Sequence, residues 1–179
     1  MGAYVSLAFG LDSSQKNLEQ LDWALANVGL KLVKAGLMDE DMRQVEWNWH
    51  FLGQEIPVIC RNYQEDGWIS TTLDIEEELF ESIGQQKCEQ LVQKLIKIAI
   101  FLMQTMELRY VFFEEEAEAE VAPDDYDADH LYAITLLSNK ISSIKEACNK
   151  VEIKRIEQFD GGVVLYSRFP IPHYEAIFN

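Results

Sequence analysis

Hydrophobic and polar residues alternate strictly over Val45-Glu46-Trp47-Asn48-Trp49-His50-Phe51, with Val45, Trp47, Trp49 and Phe51 on one face. That period of two predicts a half-buried strand. Residues 4–9 form a short apolar run stopped by Gly10, a second strand signal. From Asp12, an N-cap with Gln15 in capping-box position, Leu18, Leu21, Leu25, Val28 and Leu32 recur at helical spacing. They predict a helix ending near Gly36, with Gly29 loosening or kinking it. Strands over 56–61 and 68–73 follow, separated by turns at Gly53 and at Glu65-Asp66-Gly67. Pro57 places the first of these at a sheet edge or marks its start.

Asp74 and Glu77 make a second capping box and open the longest predicted helix. Its start is acidic (Glu76, Glu77, Glu78, Glu81), where the helix dipole favours negative charge. Residues 91–103 are apolar on nearly every side, the pattern of a central core helix or of an oligomer interface. A strand over 108–113 runs into Glu114-Glu115-Glu116-Ala117-Glu118-Ala119-Glu120-Val121. This alternation reads either as an exposed edge strand or as a loop, since Glu is a poor strand former. Leu131, Ile134, Leu137, Ile141 and Ile144 predict a third helix ending near Asn149. Strands over 151–159 and 163–169 flank Asp160-Gly161-Gly162, a strong hairpin signal. The apolar tail around His173 is expected to dock on the body. The sum is one α+β domain over residues 1–179, with about six to seven mostly antiparallel strands and three helices packed on the sheet.

Composition adds constraints. The chain has 179 residues, long enough for a sizeable core, and 48% of them are hydrophobic. Its formal net charge is -16, from 31 acidic and 15 basic residues. Such a charge repels nucleic-acid phosphates and anionic lipid surfaces, and it accelerates encounter with a basic protein. Cys60, Cys88 and Cys148 form no CxxC pair, which argues against a disulfide framework or a zinc ribbon. The apolar run 95–106 is broken by Lys97 and Gln104 and is too short to span a bilayer. The first residues lack a secretory leader pattern. Met1-Gly2 and Ser6 fit a myristoylation motif, but no basic cluster supplies a second membrane signal. A reducing cytoplasm is the expected compartment.

The chemistry-bearing residues point three ways. The first is an acidic surface made by Glu114, Glu115, Glu116, Glu118, Glu120, Asp124 and Asp125, within a stretch that holds no Lys or Arg. Crowded carboxylates repel one another, and a basic protein partner relieves that repulsion; against this stands a plain solvated loop. The second is a small-ligand site, or an enzyme site, near Trp47, Trp49 and His50 with Trp68, because tryptophans line ligand pockets as well as cores. The third is a metal site at Asp125, Asp127, Asp129 and His130. These begin like a calcium loop, but His130 stands where the turn needs Gly, and Leu136 where a bidentate Glu is needed. No nucleophile elbow or phosphate-cradling motif is present, so no catalytic residue and no cofactor is assigned. A Cys60–His50 pair on neighbouring strands is a weak nucleophile candidate. The leading expectation is an acidic interaction protein that binds and neutralises a basic partner, as immunity and inhibitor proteins do. A homo-oligomer built on the apolar long helix is compatible with each reading.

Overall fold

A computed structural model describes residues 2–37 and 39–171. The expected docking of the tail around His173 lies outside the described residues. Among the described residues, nine strands form one sheet: β1 (Tyr4–Asp12), β2 (Leu30–Leu37), β3 (Met42–Phe51), β4 (Gln54–Gln64), β5 (Trp68–Glu76), β6 (Tyr110–Glu115), β7 (Ile134–Ser138), β8 (Arg155–Phe159) and β9 (Gly162–Tyr166). The helices are α1 (Gln15–Asn27), α2 (Glu77–Ser82), α3 (Gln85–Met106) and α4 (Ile144–Cys148). The sheet runs β2-β3-β4-β5-β1-β6-β7-β9-β8 and every neighbouring pair is antiparallel. The expected α+β class with a large antiparallel sheet is therefore observed, with more strands and one more helix than the pattern alone predicts.

Three elements differ from expectation for physical reasons. The first helix stops at Asn27 and does not continue to Gly36, because Gly29 adopts φ +98°, a left-handed conformation that glycine supplies at low cost. The chain then turns back as β2, with Leu30 and Leu32 in register with Trp49 and Trp47. The cap is Ser14, whose hydroxyl accepts from the Asn17 N–H at 3.1 Å; Asp12 is the last residue of β1. Asp74 likewise caps no helix but lies inside β5, and the helical stretch after it is divided by Gly84 at φ +81°. The third predicted helix is mostly a strand. In β7, Ile134 and Leu136 join the helix-side core, and Leu137 joins a second core on the opposite face. A strand covered on both faces reads as a continuous apolar run, which periodicity cannot separate from a buried helix. Only Ile144–Cys148 of that segment is helical.

Helices α1 and α3 cover one face of the sheet. Leu21 and Leu25 of α1, with Leu91, Leu95, Ile98 and Leu102 of α3, bury against Leu7, Phe9, Trp47, Trp49, Val58 and Phe113. The apolar residues of α3 are thus consumed within the chain, the role of a core helix. Among the described residues, no helix is long and apolar enough to cross a membrane.

The smaller core explains the acidic stretch. After β6 the chain crosses the opposite face of the sheet as a strap. Ala117, Ala119, Tyr126 and Ala128 point in against Tyr110, Phe112, Leu137 and Leu165, while Glu116, Glu118, Glu120, Asp125, Asp127 and Asp129 point out. The alternation of carboxylates with small residues is the in-and-out pattern of a covering segment. It is not a strand of the sheet, because Glu116 turns the chain off β6 at φ 50°. Tyr110 Oη donates to the Val121 carbonyl and Tyr126 Oη to the His130 carbonyl at 3.0 Å, so the strap is tied down by buried phenols.

Candidate functional site

The strap covers β6, β7 and β9, reaches over Ala8 of β1 and Trp68 of β5, and leaves the rest of the same face of β1, β5 and β4 bordering a groove. The groove, of about 740 Å³, lies between this open face and the 116–120 segment of the strap. Strand alternation sets the floor: Tyr4 and Ser6 from β1, Trp68, Ser70, Thr72 and Asp74 from β5, and Arg61 and Tyr63 from β4. Glu65 closes one end, and Glu116, Glu118 and Glu120 form the wall.

Asp74 is the hub of the floor. It is 4% exposed, and its Oδ1 accepts from Ser6 Oγ at 2.7 Å. Its Oδ2 accepts from Thr72 Oγ1 at 3.1 Å and pairs with the Arg61 guanidinium. Arg61 also lies over the Tyr4 ring, 4.9 Å from the centroid, in a cation–π contact. The strap is pinned to the floor where Ser70 Oγ donates to the Ala119 carbonyl at 3.4 Å. Among the described residues the lining thus holds five carboxylates against one guanidinium, and that guanidinium is already paired with Asp74. Glu116, Glu118 and Glu120 are exposed at the rim. Chemically the groove is an acidic concavity with aromatic side chains in its lining.

The sequence-predicted residues divide accordingly. Glu116, Glu118 and Glu120 line the groove. Glu114 turns away to pair with Arg168 and to accept from the Ala133 N–H at 3.2 Å. Glu115 ends β6 opposite Val5. Asp124 pairs with Arg109 at 3.2 Å, and Asp125 is exposed beside Tyr126. Asp127 accepts from the Asp129 N–H at 2.9 Å and from His130 Nδ1 at 2.8 Å, contacts that hold its carboxyl below the usual range. Asp129 pairs with Lys150 at 2.7 Å. Among the described residues no three His, Cys, Asp or Glu side chains converge as metal ligands.

Trp47 and Trp49 face the helices, where Trp49 stacks on Phe51 at 4.9 Å. The cavity beside Trp49 is apolar and about 20 Å³, room for about one water. His50 is exposed on the other face with Glu55, 3.0 Å away, and Trp68 lines the groove. These four residues therefore share no cavity. Cys60 lies on the helix side of β4, away from His50, and burial pushes its thiol up to about 12. Burial pushes Cys88 up to about 11. Since the thiolate is the nucleophile, Cys60 and Cys88 are expected to resist alkylation in the folded protein at mildly alkaline pH. The half-buried Cys148 should react first. Mass spectrometry of the alkylated chain checks this order, and early labelling of Cys60 would contradict it.

Sequence reasoning missed the floor apart from Trp68: Tyr4, Ser6, Arg61, Tyr63, Ser70, Thr72 and Asp74. The signal was present in Trp68-Ile69-Ser70-Thr71-Thr72-Leu73-Asp74, where the even positions carry an aromatic, two hydroxyls and a carboxylate at the period of one strand face.

No protein-family model matches the chain, and no curated protein or solved structure matches it either. Fold and site define it by their own features: an α+β fold whose described residues form a nine-stranded antiparallel sheet, with an acidic strap that overhangs a polar, aromatic-bearing groove.

Proposed function

We propose that the protein is an acidic interaction protein that holds a basic segment of a protein partner in the groove between the strap and the open face of β4, β5 and β1, in the manner of immunity or inhibitor proteins. The observation that carries this reading is the excess of carboxylates around a concave floor whose one lining guanidinium is already engaged by Asp74. Lysine or arginine side chains entering there meet Glu116, Glu118 and Glu120 at the rim, and the faces of Trp68 and Tyr63 offer them cation–π contacts. The charge of -16 steers such a partner toward the molecule, and the groove selects where it settles.

A hexa-arginine peptide is a direct probe. The triple variant Glu116→Gln, Glu118→Gln, Glu120→Gln removes three exposed ion pairs worth roughly 0.2–1 kcal/mol each. The expected result by calorimetry is about tenfold weaker binding and a flatter salt dependence. Neutralising Asp39, Glu40 and Asp41, a turn outside the groove, should change binding far less. Equal losses from both variants would reduce the groove to general surface charge.

A further inference from the structure

Among the described residues, strand β2 is one edge of the sheet and one side of its ladder is unpaired. Among the same residues it carries a cluster of exposed apolar side chains: Leu37 is 79% exposed, Leu32 60% and Val33 56%, and Trp23 on the adjoining helix α1 is 57% exposed; Val151 and Ile156, near the opposite edge, are exposed as well. Helix α1 runs along this part of the sheet, since Asp22, the residue before Trp23, pairs with Arg43, the register partner of Leu37.

We infer that this edge is a dimer interface, in which β2 pairs antiparallel with β2 of a second copy about a two-fold axis between Val33 and Lys34.

The register follows from a β-bulge. Leu30, Leu32, Ala35 and Leu37 stand opposite Trp49, Trp47, Val45 and Arg43, so all four point to the helix side; Lys31, Lys34 and Gly36 stand opposite Asn48, Glu46 and Gln44 and point to the open side. The phase shift between Leu32 and Lys34 is caused by the extra residue Val33. In an antiparallel pair, residues directly opposite must share a face. A strand of eight residues with unbroken alternation fails that condition about its midpoint. With the bulge at the midpoint it succeeds, pairing Leu30 with Leu37, Lys31 with Gly36 and Leu32 with Ala35. A bulge blunts an edge when it throws a strand out of phase with its mate; a two-fold mate is out of phase at the same place.

The register selects a second copy as the occupant, and the local charge is compatible with it. In a chain of net charge -16, β2 carries Lys31, Lys34 and no carboxylate. Two copies therefore meet here without carboxylate repulsion; no lysine stands directly opposite a lysine, and the two Lys34 residues that flank the axis on the open side each have Glu46 as register partner within their own chain. Lys31 of the second copy stands opposite Gly36, just before the turn that carries Asp39, Glu40 and Asp41, which gives it carboxylates to approach. The paired helix-side residues Leu32, Ala35 and Leu37 of both copies then lie together beside α1.

Sedimentation velocity on the full chain tests this. A concentration-dependent dimer is expected, lost in Leu32→Glu, whose exposed position leaves the monomer fold intact by circular dichroism. In a Cys148→Ser background, Val33→Cys next to the axis should cross-link to itself on mild oxidation, and Leu30→Cys, placed away from the axis, should not. A monomer at all concentrations overturns the inference. So does a dimer that survives Leu32→Glu, or an open polymer formed by pairing β2 with β8 of the next copy.

Discussion

Replacing Asp74 with Ala is expected to lower stability by about 3 kcal/mol, the lower end of the range for breaking a buried ion pair by removing one partner. The carboxylate has little contact with water and serves three donors at once, Ser6, Thr72 and Arg61. Its removal leaves a half-buried guanidinium without its anion and two hydroxyls without their acceptor. Asp74→Asn keeps an oxygen for Ser6 and should cost clearly less. Denaturant unfolding with an unchanged slope gives both values. A loss below about 1 kcal/mol for the alanine variant would mean that water replaces the carboxylate and that Asp74 is no hub.

A comparable loss is expected from one methyl group at Gly162. A Cβ there would meet the Leu137 carbonyl oxygen at 2.3 Å and Phe159 Cζ at 2.5 Å. The carbonyl belongs to β7, which pairs with β9, so it cannot retreat without opening the ladder. Overpacking of this kind costs about 3 kcal/mol at the upper end of the usual range. Gly161 differs. It has φ +98° and open space around its Cα, so Gly161→Ala carries only backbone strain of roughly 1–2 kcal/mol. Thermal and denaturant unfolding of the two variants should separate them in that order, and the reverse order would contradict the packing described.

These two positions also mark what the sequence made legible. Asp160-Gly161-Gly162 announces a hairpin through its turn chemistry, and β8 and β9 meet there. The tightest contact that requires glycine at 162, the Leu137 carbonyl, comes from a strand distant in sequence and leaves no local mark. Val45, Trp47, Trp49 and Phe51 announce β3 because one face of that strand is buried and the other is not. Strand β7 is hidden because both its faces are buried, and β2 because Val28 and Leu32 continue the helical spacing of α1 across Gly29. Asp74 followed by Glu77 imitates a capping box, yet the carboxylate is drawn sideways to Ser6 and Arg61 on neighbouring strands. Long-range pairing overrides the local signal in each case.

The acidic stretch was legible as a feature but not as a structure. Its Glu-Ala alternation suggests a strand; burial of Ala117 and Ala119 over the second face makes it a strap. Its carboxylates consequently differ in use. Glu114, Asp124, Asp127 and Asp129 are engaged by Arg168, Arg109, His130 and Lys150, whereas Glu116, Glu118 and Glu120 border the groove.

The most direct test is native mass spectrometry on the protein isolated gently from its own host, in parallel with the Glu116→Gln, Glu118→Gln, Glu120→Gln variant and the Asp39-Glu40-Asp41 neutralised control. A basic protein that stays bound to the wild type and the control but is lost from the groove variant is the predicted result. A partner retained undiminished by the groove variant would contradict the assignment of binding to the strap and the open sheet face.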